Sequence, residues 1–518
     1  MRLALLTLLL TCSTEGYKIL TLTVVPSRSH HHLGEGIVDA LLQAGHEVTW
    51  ATPYQELTKP RKNLRVIGLP AVRLLDKVID VIGKDIQPTM SFMLEFTRNV
   101  TSLTLEAQEL RDVLVKEQFD AVITEWFFSE ADAAFAAIQQ APWISLSSVS
   151  FHVELEKLVD EVRSISVIPH MFNPSTQMPM PLWSRALNLL IYGFTWAQTS
   201  YLRHRTEAFY EEKFGPIAKA RGVPLPPFSE AIHNVSILLV NSHPSFAAAR
   251  SVPPNVVDIG GYHIKEDIPP LPKDLQEIMD SSKCVVYFSM GSVFKSSGLS
   301  ESTRAAILDT LGRVPCTVLW KFEVDFPGAP KNVHMRKWFP QASILAHPKL
   351  KVFITHGGLL STTEALHAGV PLLAAPVFGD QPANAQRAAA AGFARVIDVK
   401  RMAEDLGSEL DIMLKDDSYY HKAKELSKLF RNRPVPPKKL IPYYVELAIE
   451  SKGAYHLRSP SQLYAWYERW MLDVIAIELI ILYLIYLIVR FIFRTIKNKF
   501  TGNSGKQVNK KADKKKNR

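Results

Sequence analysis

Residues 338–381 have the sequence WFPQASILAHPKLKVFITHGGLLSTTEALHAGVPLLAAPVFGDQ, and this stretch decides the fold. The apolar run 351–355 is typical of a buried parallel strand, and it stops at His356-Gly357-Gly358. Segment 361–368 begins with hydroxyl residues that can cap a helix, and Gly369 follows its end. The order of strand, glycine turn and helix predicts one repeating unit of an α/β sheet.

The same stretch has polar groups where a nucleotide can bind. A glycine turn lets the backbone approach an anion, and the N–H groups at the start of the next helix favour a diphosphate there. A second predicted strand, 371–376, precedes Asp380 and Gln381, at the sheet edge where α/β proteins bind ligands. Trp338 offers a flat ring for a base, and Gln341 offers an amide. Singly these are ordinary core or surface residues, so only the ordered set predicts a nucleotide-sugar pocket.

This ordered set resembles the signature of the family-one UDP-glycosyltransferases. The matching positions are Phe353, Ile354, Thr355, His356, Gly357, Gly358, Ser361, Glu364, Pro371, Pro376, Asp380 and Gln381. So long a match is much more specific than a lone glycine motif, and the resemblance extends over nearly the whole chain. It implies an α/β fold of the GT-B type, in which two Rossmann-like domains face a cleft. The first domain would hold the acceptor and the second the UDP-sugar.

The resemblance also implies roles for individual donor-binding residues. Trp338 would stack on uracil, Gln341 would contact the nucleoside, and Glu364 would bind the ribose hydroxyls. Asp380 and Gln381 would form hydrogen bonds with the sugar hydroxyls. The residues implied to contact or lie near the diphosphate are Ser292, His356, Gly358 and Ser361.

Transfer of a sugar to a hydroxyl needs a base that removes the acceptor proton. The segment Ser29-His30-His31-His32 follows the first predicted strand, and we expect it to form a loop at the cleft. The resemblance implies that His30 is this base and that Glu125, where vertebrate members usually have aspartate, orients it. Asp120 is an alternative partner, but it precedes its strand and should lie at the opposite sheet edge. The implied reaction inverts an α-linked donor to a β-glycoside and needs neither a metal nor a cofactor.

The composition predicts two domains with additional segments at both ends. A chain of 518 residues, of which 47% are hydrophobic, can bury two cores. In the first half the predicted elements are a strand at 19–25, a helix at 37–44 and strands at 47–50, 119–124 and 143–147. The predicted segments are a signal peptide (1–16), an acceptor-binding domain (17–250), a proline-rich linker (251–280), a UDP-sugar-binding domain (281–450), a juxtamembrane segment (451–470), a transmembrane helix (471–493) and a basic cytoplasmic tail (494–518).

The charge pattern predicts how the chain lies in a membrane. Residues 490–518 alone carry a net charge of +10, whereas the whole chain carries +9, so the remainder is close to neutral and nucleic-acid binding is not indicated. Basic residues beyond a span mark the cytoplasmic side, which predicts a type I protein with lumenal catalytic domains. Lys515-Lys516 resembles a dilysine retrieval signal for the endoplasmic reticulum; a tail that contacts lipid is the alternative.

Three further features lie within the predicted lumenal part. Cys284 and Cys316 are in apolar runs, which favours buried thiols over a disulfide. Asn99 is the preferred glycosylation site, because the second sequon, at Asn234, begins an apolar run. Region 181–201 is rich in tryptophan, leucine and tyrosine, and we expect a helical core there, with an acceptor pocket or a membrane contact as alternatives.

The resemblance implies transfer of a hexose from a UDP-sugar to a small lipophilic acceptor such as a phenol, flavonoid or steroid, in the manner of detoxifying enzymes. Asp380-Gln381 serves both glucose and glucuronate transferases, and Glu125 favours an invertebrate-type glucosyltransferase. A UDP-glucuronosyltransferase and a lipid glycosyltransferase are the alternatives within the enzyme class. An inactive lumenal binding subunit is the alternative outside it. The acceptor and the oligomeric state stay open, with a homo-oligomer as one possibility.

Overall fold

The computed structural model describes residues 16–516 except 77–88, 160–164, 171–172, 174–178, 248–249, 292–299 and 324–327. Of the side chains, those of 153 and 501–516 are also outside the description. The chain forms two compact units, Met1–Ser459 and Pro460–Arg518. Residues 1–15 of the predicted signal peptide lie outside the described residues.

The first half of the larger unit is built on a parallel sheet. Its strands are β1 (Lys18–Leu22), β2 (Glu47–Thr52), β3 (Leu64–Gly68), β4 (Ala121–Trp126), β5 (Trp143–Ser147), β6 (Val235–Val240) and β7 (Val256–Asp258). They lie side by side in the order β3-β2-β1-β4-β5-β6-β7. The helices of this half are α1 (Arg28–Gln43), α2 (Pro70–Arg73), α3 (Met90–Thr104), α4 (Gln108–Lys116), α5 (Ala133–Gln139), α6 (Val153–Val159), α7 (Leu182–Arg221) and α8 (Phe228–Ala231).

This sheet is buried on both faces because successive strand residues point to opposite sides. On one face Leu20 and Val122 pack with Phe214 of α7. On the other face Ile19 and Ile123 pack with α1. The two cores explain why the strands are continuous apolar runs rather than alternating ones.

The second half repeats the design with a second parallel sheet. Its strands are β8 (Val285–Ser289), β9 (Thr317–Lys321), β10 (Val333–Arg336), β11 (Leu350–Thr355), β12 (Leu372–Ala374) and β13 (Ala394–Val396). They are ordered β10-β9-β8-β11-β12-β13. The helices are α9 (Lys273–Ser281), α10 (Glu301–Gly312), α11 (Gln341–Leu345), α12 (Leu359–Ala368), α13 (Gln381–Ala390), α14 (Met402–Lys415), α15 (Ser418–Arg431) and α16 (Pro437–Glu450). The α/β prediction is confirmed, and the opening stretch forms β11, the glycine turn, α12 and β12.

The chain returns to the first sheet before the larger unit ends. Helix α16 buries Ile441, Val445 and Ala448 in the same core cluster as Ile37 and Leu41 of α1. The predicted linker 251–280 contains β7, which pairs with β6, and most of α9, which packs under the second sheet. The last part of the predicted second domain therefore packs on the first.

Two local predictions from the sequence are wrong. Helix α1 begins at Arg28 rather than near residue 37, so the three histidines lie in its first turns and not on a loop. The prediction started the helix at a later apolar repeat, but His31 and Leu33 already face the core. The expectation of buried thiols also fails, because Cys284 and Cys316 form a disulfide with Cα atoms 4.8 Å apart. The two cysteines precede β8 and β9, which are adjacent strands paired in register from Val285 and Thr317.

The expectation of a helical core at 181–201 is half right. The predicted helix is present, because α7 begins at Leu182 and covers the region. Its apolar side chains there are largely exposed, so they do not form a core. The content of tryptophan, leucine and tyrosine predicted a helix, whereas the side that faces solvent is set by polar contacts that the sequence did not reveal.

The smaller unit, Pro460–Arg518, contains α17 (Trp466–Arg469) and α18 (Leu472–Lys516). Within α18, Leu472–Phe500 is long and apolar enough to cross a membrane, with a mean hydropathy of 2.6 and none of it buried. No other helix in the described part of the chain meets this test. The predicted span 471–493 lies almost entirely within this helix.

Candidate active site

His30 and Glu125 are brought together by neighbouring elements of the first sheet. Helix α1 follows β1, and β1 pairs with β4, so the start of α1 lies beside the carboxyl end of β4. His30 Nδ1 donates a hydrogen bond to Glu125 Oε1, and the Glu125 side chain is fully buried. Asp120, at the other end of β4, accepts a hydrogen bond of 2.8 Å from the Lys18 N–H at the opposite edge.

The pairing sets the tautomer and the pKa of His30. Burial of the imidazole lowers the pKa of His30, but the charge and hydrogen bond of Glu125 raise it more, so the net pKa lies above its ordinary value. Because Nδ1 faces Glu125, Nε2 is the nitrogen that can accept a proton from a substrate. The His30 ring also meets Phe127 edge to face, with ring centroids 5.3 Å apart.

An aromatic wall continues from His30 into the first domain. Trp126 lies 5.0 Å from Phe128 and 5.2 Å from His152, measured between ring centroids. Burial lowers the pKa of His152 to about 3, so this imidazole is neutral at physiological pH. Sequence reasoning missed these aromatic neighbours of the predicted base, although Trp126-Phe127-Phe128 directly follows Glu125. Trp126 belongs to the buried core, whereas Phe127 and Phe128 are only partly buried and offer an apolar surface to a ring-containing acceptor.

The other two adjacent histidines have different surroundings. His31 is buried, stacks on Trp50 with ring centroids 4.9 Å apart, and forms a hydrogen bond of 3.0 Å with Thr52. Burial lowers the pKa of His31 to about 4, which fits a structural role in the core. His32 lies 3.6 Å from Glu35 in an ion-pair geometry. Only His30 combines a buried carboxylate partner with an aromatic wall.

In the second domain, His356 fills a space between two glycines. A Cβ atom added at Gly291 or at Gly358 would come within 2.5 Å of the His356 imidazole. Burial lowers the pKa of His356 to about 4, and the charge of Lys321 lowers it further in the same direction. The ring is therefore neutral and can donate one hydrogen bond to an anion. Gly358 is the N-cap residue of α12, so the first N–H groups of this helix lie close to the His356 ring.

The two residues predicted to bind the nucleoside and the ribose lie in one polar network. The Gln341 amide donates hydrogen bonds to Glu364 Oε2 at 2.6 Å and to Ser361 Oγ at 3.1 Å. The Tyr287 hydroxyl donates to Gln341 Oε1 at 3.3 Å. Burial raises the pKa of Glu364, and the hydrogen bond from Gln341 opposes this shift. The structure thus brings Gln341, Ser361 and Glu364 together although two separate helices carry them.

Trp338 is 59% exposed, so its ring is open to a stacking partner. Two cations lie near this ring: the guanidinium carbon of Arg28 is 5.8 Å from the ring centroid, and Lys321 Nζ is 5.6 Å from it. Lys321 ends β9 and donates a hydrogen bond to the Gly291 carbonyl. Sequence reasoning missed Lys321, and the signal that could have found it is a lysine at the carboxyl end of an apolar strand.

Asp380 and Gln381 begin α13 at the edge of the second sheet. Asp380 Oδ2 accepts a hydrogen bond of 2.6 Å from Asn384, and Gln381 Oε1 accepts from the Val377 N–H at 2.9 Å. Burial raises the pKa of Asp380, while Asn384 and the more distant charge of His30 lower it. His30 belongs to the first half of the larger unit and Asp380 to the second, so the charge of one acts on the other between the two halves.

Two predicted residues remain, Ser292 and Asn99. Ser292 is outside the described residues. Asn99 is exposed on α3, while Thr101 of the same sequon is buried and donates a hydrogen bond of 2.8 Å to Asp132. Asn234 is also exposed, but its carboxamide oxygen accepts a hydrogen bond of 2.7 Å from Arg458.

Comparisons with known proteins agree with this geometry. A model of the family described as "UDP-glucoronosyl and UDP-glucosyl transferase" matches residues 20–507. UDP-glucosyltransferase 2 of Dactylopius coccus is 31% identical over 523 residues, covering 98% of each chain. UDP-glucuronosyltransferase 2A3 of Cavia porcellus is 29% identical, covering 91% of this chain and 92% of the relative.

The fold has relatives among solved structures. The structure of LpCGTa in complex with UDP superimposes with a TM-score of 0.54 at 16% sequence identity, covering 84% of this chain and 99% of the other. At that identity the likeness concerns the fold alone. The two sheets therefore have the GT-B arrangement that the sequence analysis expects.

Proposed function

Because this chain belongs to the UDP-glucoronosyl and UDP-glucosyl transferase family, it is an enzyme that moves a sugar from a UDP-sugar to an acceptor, and we propose that His30 is its base. The observation that carries the proposal is the contact between His30 Nδ1 and the buried carboxylate of Glu125. That contact leaves Nε2 directed to a substrate hydroxyl and stabilises the imidazolium that forms during transfer.

The proposed reaction is a single displacement. The acceptor hydroxyl loses its proton to His30 Nε2 while its oxygen forms a bond to the anomeric carbon of the sugar. The bond between that carbon and the diphosphate oxygen breaks, and UDP leaves with the electron pair. Attack from the side opposite to UDP converts an α-linked donor into a β-glycoside. Glu125 is a positioning residue, since it acts through His30.

The leaving group gains negative charge, and three features on the second sheet can stabilise it. The start of α12 presents backbone N–H groups, and neutral His356 offers a ring N–H. Lys321 supplies a positive charge beside both Gly291 and His356. Asp380 and Gln381 would hold the sugar hydroxyls across the cleft from His30.

We favour glucose as the transferred sugar and a small lipophilic alcohol or phenol as the acceptor. The Dactylopius coccus relative is named as a UDP-glucosyltransferase, and the partly buried rings of Phe127 and Phe128 suit a ring-containing acceptor. Glucuronate is the second candidate for the transferred sugar. Its carboxylate would need a cation nearby. Arg387 could supply this cation. The charge of Asp380 acts on its guanidinium, and its Nη1 has no hydrogen-bond partner among the described residues.

The experiment offers UDP-glucose and UDP-glucuronate separately, with a panel of phenols, to membranes that contain the full chain. We expect glucoside products that His30→Ala abolishes and that His456→Ala, a change at an exposed histidine outside the site, preserves. UDP binding by the His30→Ala protein shows that the variant is folded. If transfer occurs from UDP-glucuronate alone and is lost in Arg387→Gln, the transferred sugar is glucuronate and not glucose. Unchanged transfer by His30→Ala would overturn the assignment of the base.

We further propose that the chain is a single-pass protein of the endoplasmic reticulum membrane with both domains in the lumen. The apolar helix Leu472–Phe500 and the basic residues that follow support a span with a cytoplasmic tail. The disulfide between Cys284 and Cys316 suits the oxidising lumen. Removal of N-glycans should increase the electrophoretic mobility of the chain, and Asn99→Gln should abolish this shift. A chain without glycan whose first unit is digested by protease in intact microsomes would contradict the proposed orientation.

A further inference from the structure

Helix α7 has an exposed apolar surface in its first half. The exposed side chains are Leu182, Trp183, Leu187, Leu189, Leu190, Phe194, Trp196 and Tyr201. Trp183 is 82% exposed and Leu190 is 70% exposed, values that are unusual for large apolar residues in contact with water. We call this set the α7 apolar face. Its helix segment, 182–201, is about 30 Å long at 1.5 Å per residue.

Polar contacts on the opposite side fix the orientation of this segment. Asn188 is fully buried, donates hydrogen bonds to the carbonyls of Ile165 and Ile168, and accepts one of 2.7 Å from the His170 N–H. Thr195 is buried nearby and contacts the His170 ring at 3.5 Å. Rotating α7 to bury its apolar face would expose these groups and break the bonds of Asn188. The exposure is therefore built into the fold.

The charges along α7 change where the apolar face ends. Between Leu182 and Thr206 the sequence contains no aspartate or glutamate, while Arg185, Arg203 and Arg205 are exposed. The acidic residues of the helix follow this segment and are Glu207, Glu211 and Glu212. An apolar face with arginines at its border and no acidic group complements a surface with an apolar interior and anionic groups at its edge.

We propose that the α7 apolar face lies on a lipid bilayer, with its side chains at the boundary of headgroups and acyl chains. This inference rests on the proposed membrane anchorage, because a chain held by Leu472–Phe500 has a bilayer within constant reach. The tryptophan and tyrosine side chains suit the interface, where an apolar ring meets water. The segment lies on the surface and does not cross it, since its other side is held by Asn188 and Thr195.

The bilayer position has a consequence for the acceptor. The buried side of α7 contacts His170 through Tyr192, with ring centroids 5.1 Å apart. His170 also helps to lower the pKa of His152, whose ring lies 5.2 Å from that of Trp126 between centroids. A lipophilic acceptor dissolved in the membrane would therefore be concentrated at the exposed side of α7, and the buried side of this helix approaches the pocket.

The test uses the full chain in vesicles of phosphatidylcholine with an anionic lipid. Leu190→Cys and Glu211→Cys each introduce one reactive thiol, because Cys284 and Cys316 are paired. An environment-sensitive fluorophore is attached to each and is quenched either by spin-labelled lipid or by aqueous iodide. We expect lipid quenching at least several-fold stronger at position 190 than at 211, and the reverse order for iodide.

Equal quenching at the two positions would overturn the proposal. Protection of position 190 from both quenchers would also overturn it, since a protein surface such as a second copy would then cover the face. Cooperative thermal unfolding of each labelled protein at the Tm of the original chain serves as the control for folding. If lipid quenching is strong but no acceptor is glycosylated, the proposed function fails while the membrane contact stands. In a second variant, Leu190→Glu with Phe194→Glu should raise the KM for lipophilic acceptors several-fold and leave that for water-soluble phenols unchanged.

Discussion

The contact between His30 and Glu125 depends on the length of one side chain. Vertebrate members of the family usually have aspartate at this position, and the sequence could not decide whether glutamate would reach the histidine. That outcome depends on the separation between β4 and the start of α1, which is a property of the folded sheet. In the structure the longer side chain reaches Nδ1 from a fully buried position.

We expect Glu125→Gln to move the acid limb of the kcat/KM profile to lower pH. His30 accepts a proton only as neutral imidazole, so activity rises as His30 loses its proton. Burial lowers the pKa of His30, and the Glu125 carboxylate overrides this effect. Without the carboxylate charge, burial dominates and deprotonation occurs at lower pH, while the maximal rate falls by about 10²-fold or more. The measurement is a set of pH profiles for both proteins, and an acid limb that stays in place would contradict the pairing.

Lys321 allows a second prediction at the same scale. A cation at the diphosphate should strengthen binding of UDP but not of uridine, which has no phosphate. We expect Lys321→Met to weaken UDP binding by about 10- to 100-fold, as for loss of a charged hydrogen bond. Uridine binding should stay unchanged, and Lys321→Arg should retain most of the UDP affinity. Inhibition of transfer from UDP-glucose by UDP and by uridine gives the two binding constants.

A control for this experiment is Lys351→Met, since Lys351 of β11 contacts Tyr420 of α15 and is outside the pocket. That variant should bind both ligands as the original protein does. Equal losses for UDP and uridine in Lys321→Met would mean that Lys321 supports the fold of the pocket and does not contact the phosphates.

At the scale of elements, the sequence predicts best where local pattern and fold agree. The strand β11, its glycine turn and α12 follow from residues that are adjacent in the chain. The start of α1 was misplaced because histidines have no strong helix signal, while the core below selected His31 for burial. The exposure of α7 follows from Asn188, whose partners near residues 165–170 are about 20 residues away in the chain. Tertiary contacts of this kind are invisible to periodicity.

The disulfide is another feature that depends on how elements pair. Cys284 and Cys316 are 32 residues apart, and only the pairing of β8 with β9 makes them neighbours. We expect replacement of both by serine to reduce the free energy of unfolding by about 3–4 kcal/mol, from the loop that the bond closes in the unfolded chain. Thermal unfolding with and without a reductant measures this effect. Reductant should lower the Tm of the original protein to that of the double variant, and a Tm insensitive to reductant would contradict the bond.

At the scale of the whole molecule, the two sheets of Met1–Ser459 are joined twice. The chain passes once from β7 to α9, and α16 then brings it back to pack on α1. Arg433 adds a hydrogen bond to the Gly260 carbonyl, which follows the last strand of the first sheet. Because His30 and the proposed donor-binding residues lie on different domains, these returning segments would determine how the proposed base faces the sugar.

Arg458 fixes the end of this returning segment, and its loss should affect the whole unit. Its guanidinium donates hydrogen bonds to Asn234 Oδ1 at 2.7 Å and to the Gly453 carbonyl at 2.7 Å, and lies 4.1 Å from the Tyr455 ring centroid. Arg458 is half-buried, and this burial lowers the pKa of its guanidinium.

We therefore expect Arg458→Ala to destabilise the protein by about 2–3 kcal/mol, because hydrogen bonds from a half-buried charged group are worth more than neutral ones. Arg401→Ala is the control: its ion pairs with Glu404 and Asp405 are at the surface of α14 and should contribute less than about 1 kcal/mol. Thermal unfolding of the solubilised full chains compares the two. Since α16 packs on the helix that carries His30, Arg458→Ala should also lower kcat more than it raises the KM for UDP-glucose. A fall in Tm no larger than that of Arg401→Ala would show that α16 alone holds the returning segment.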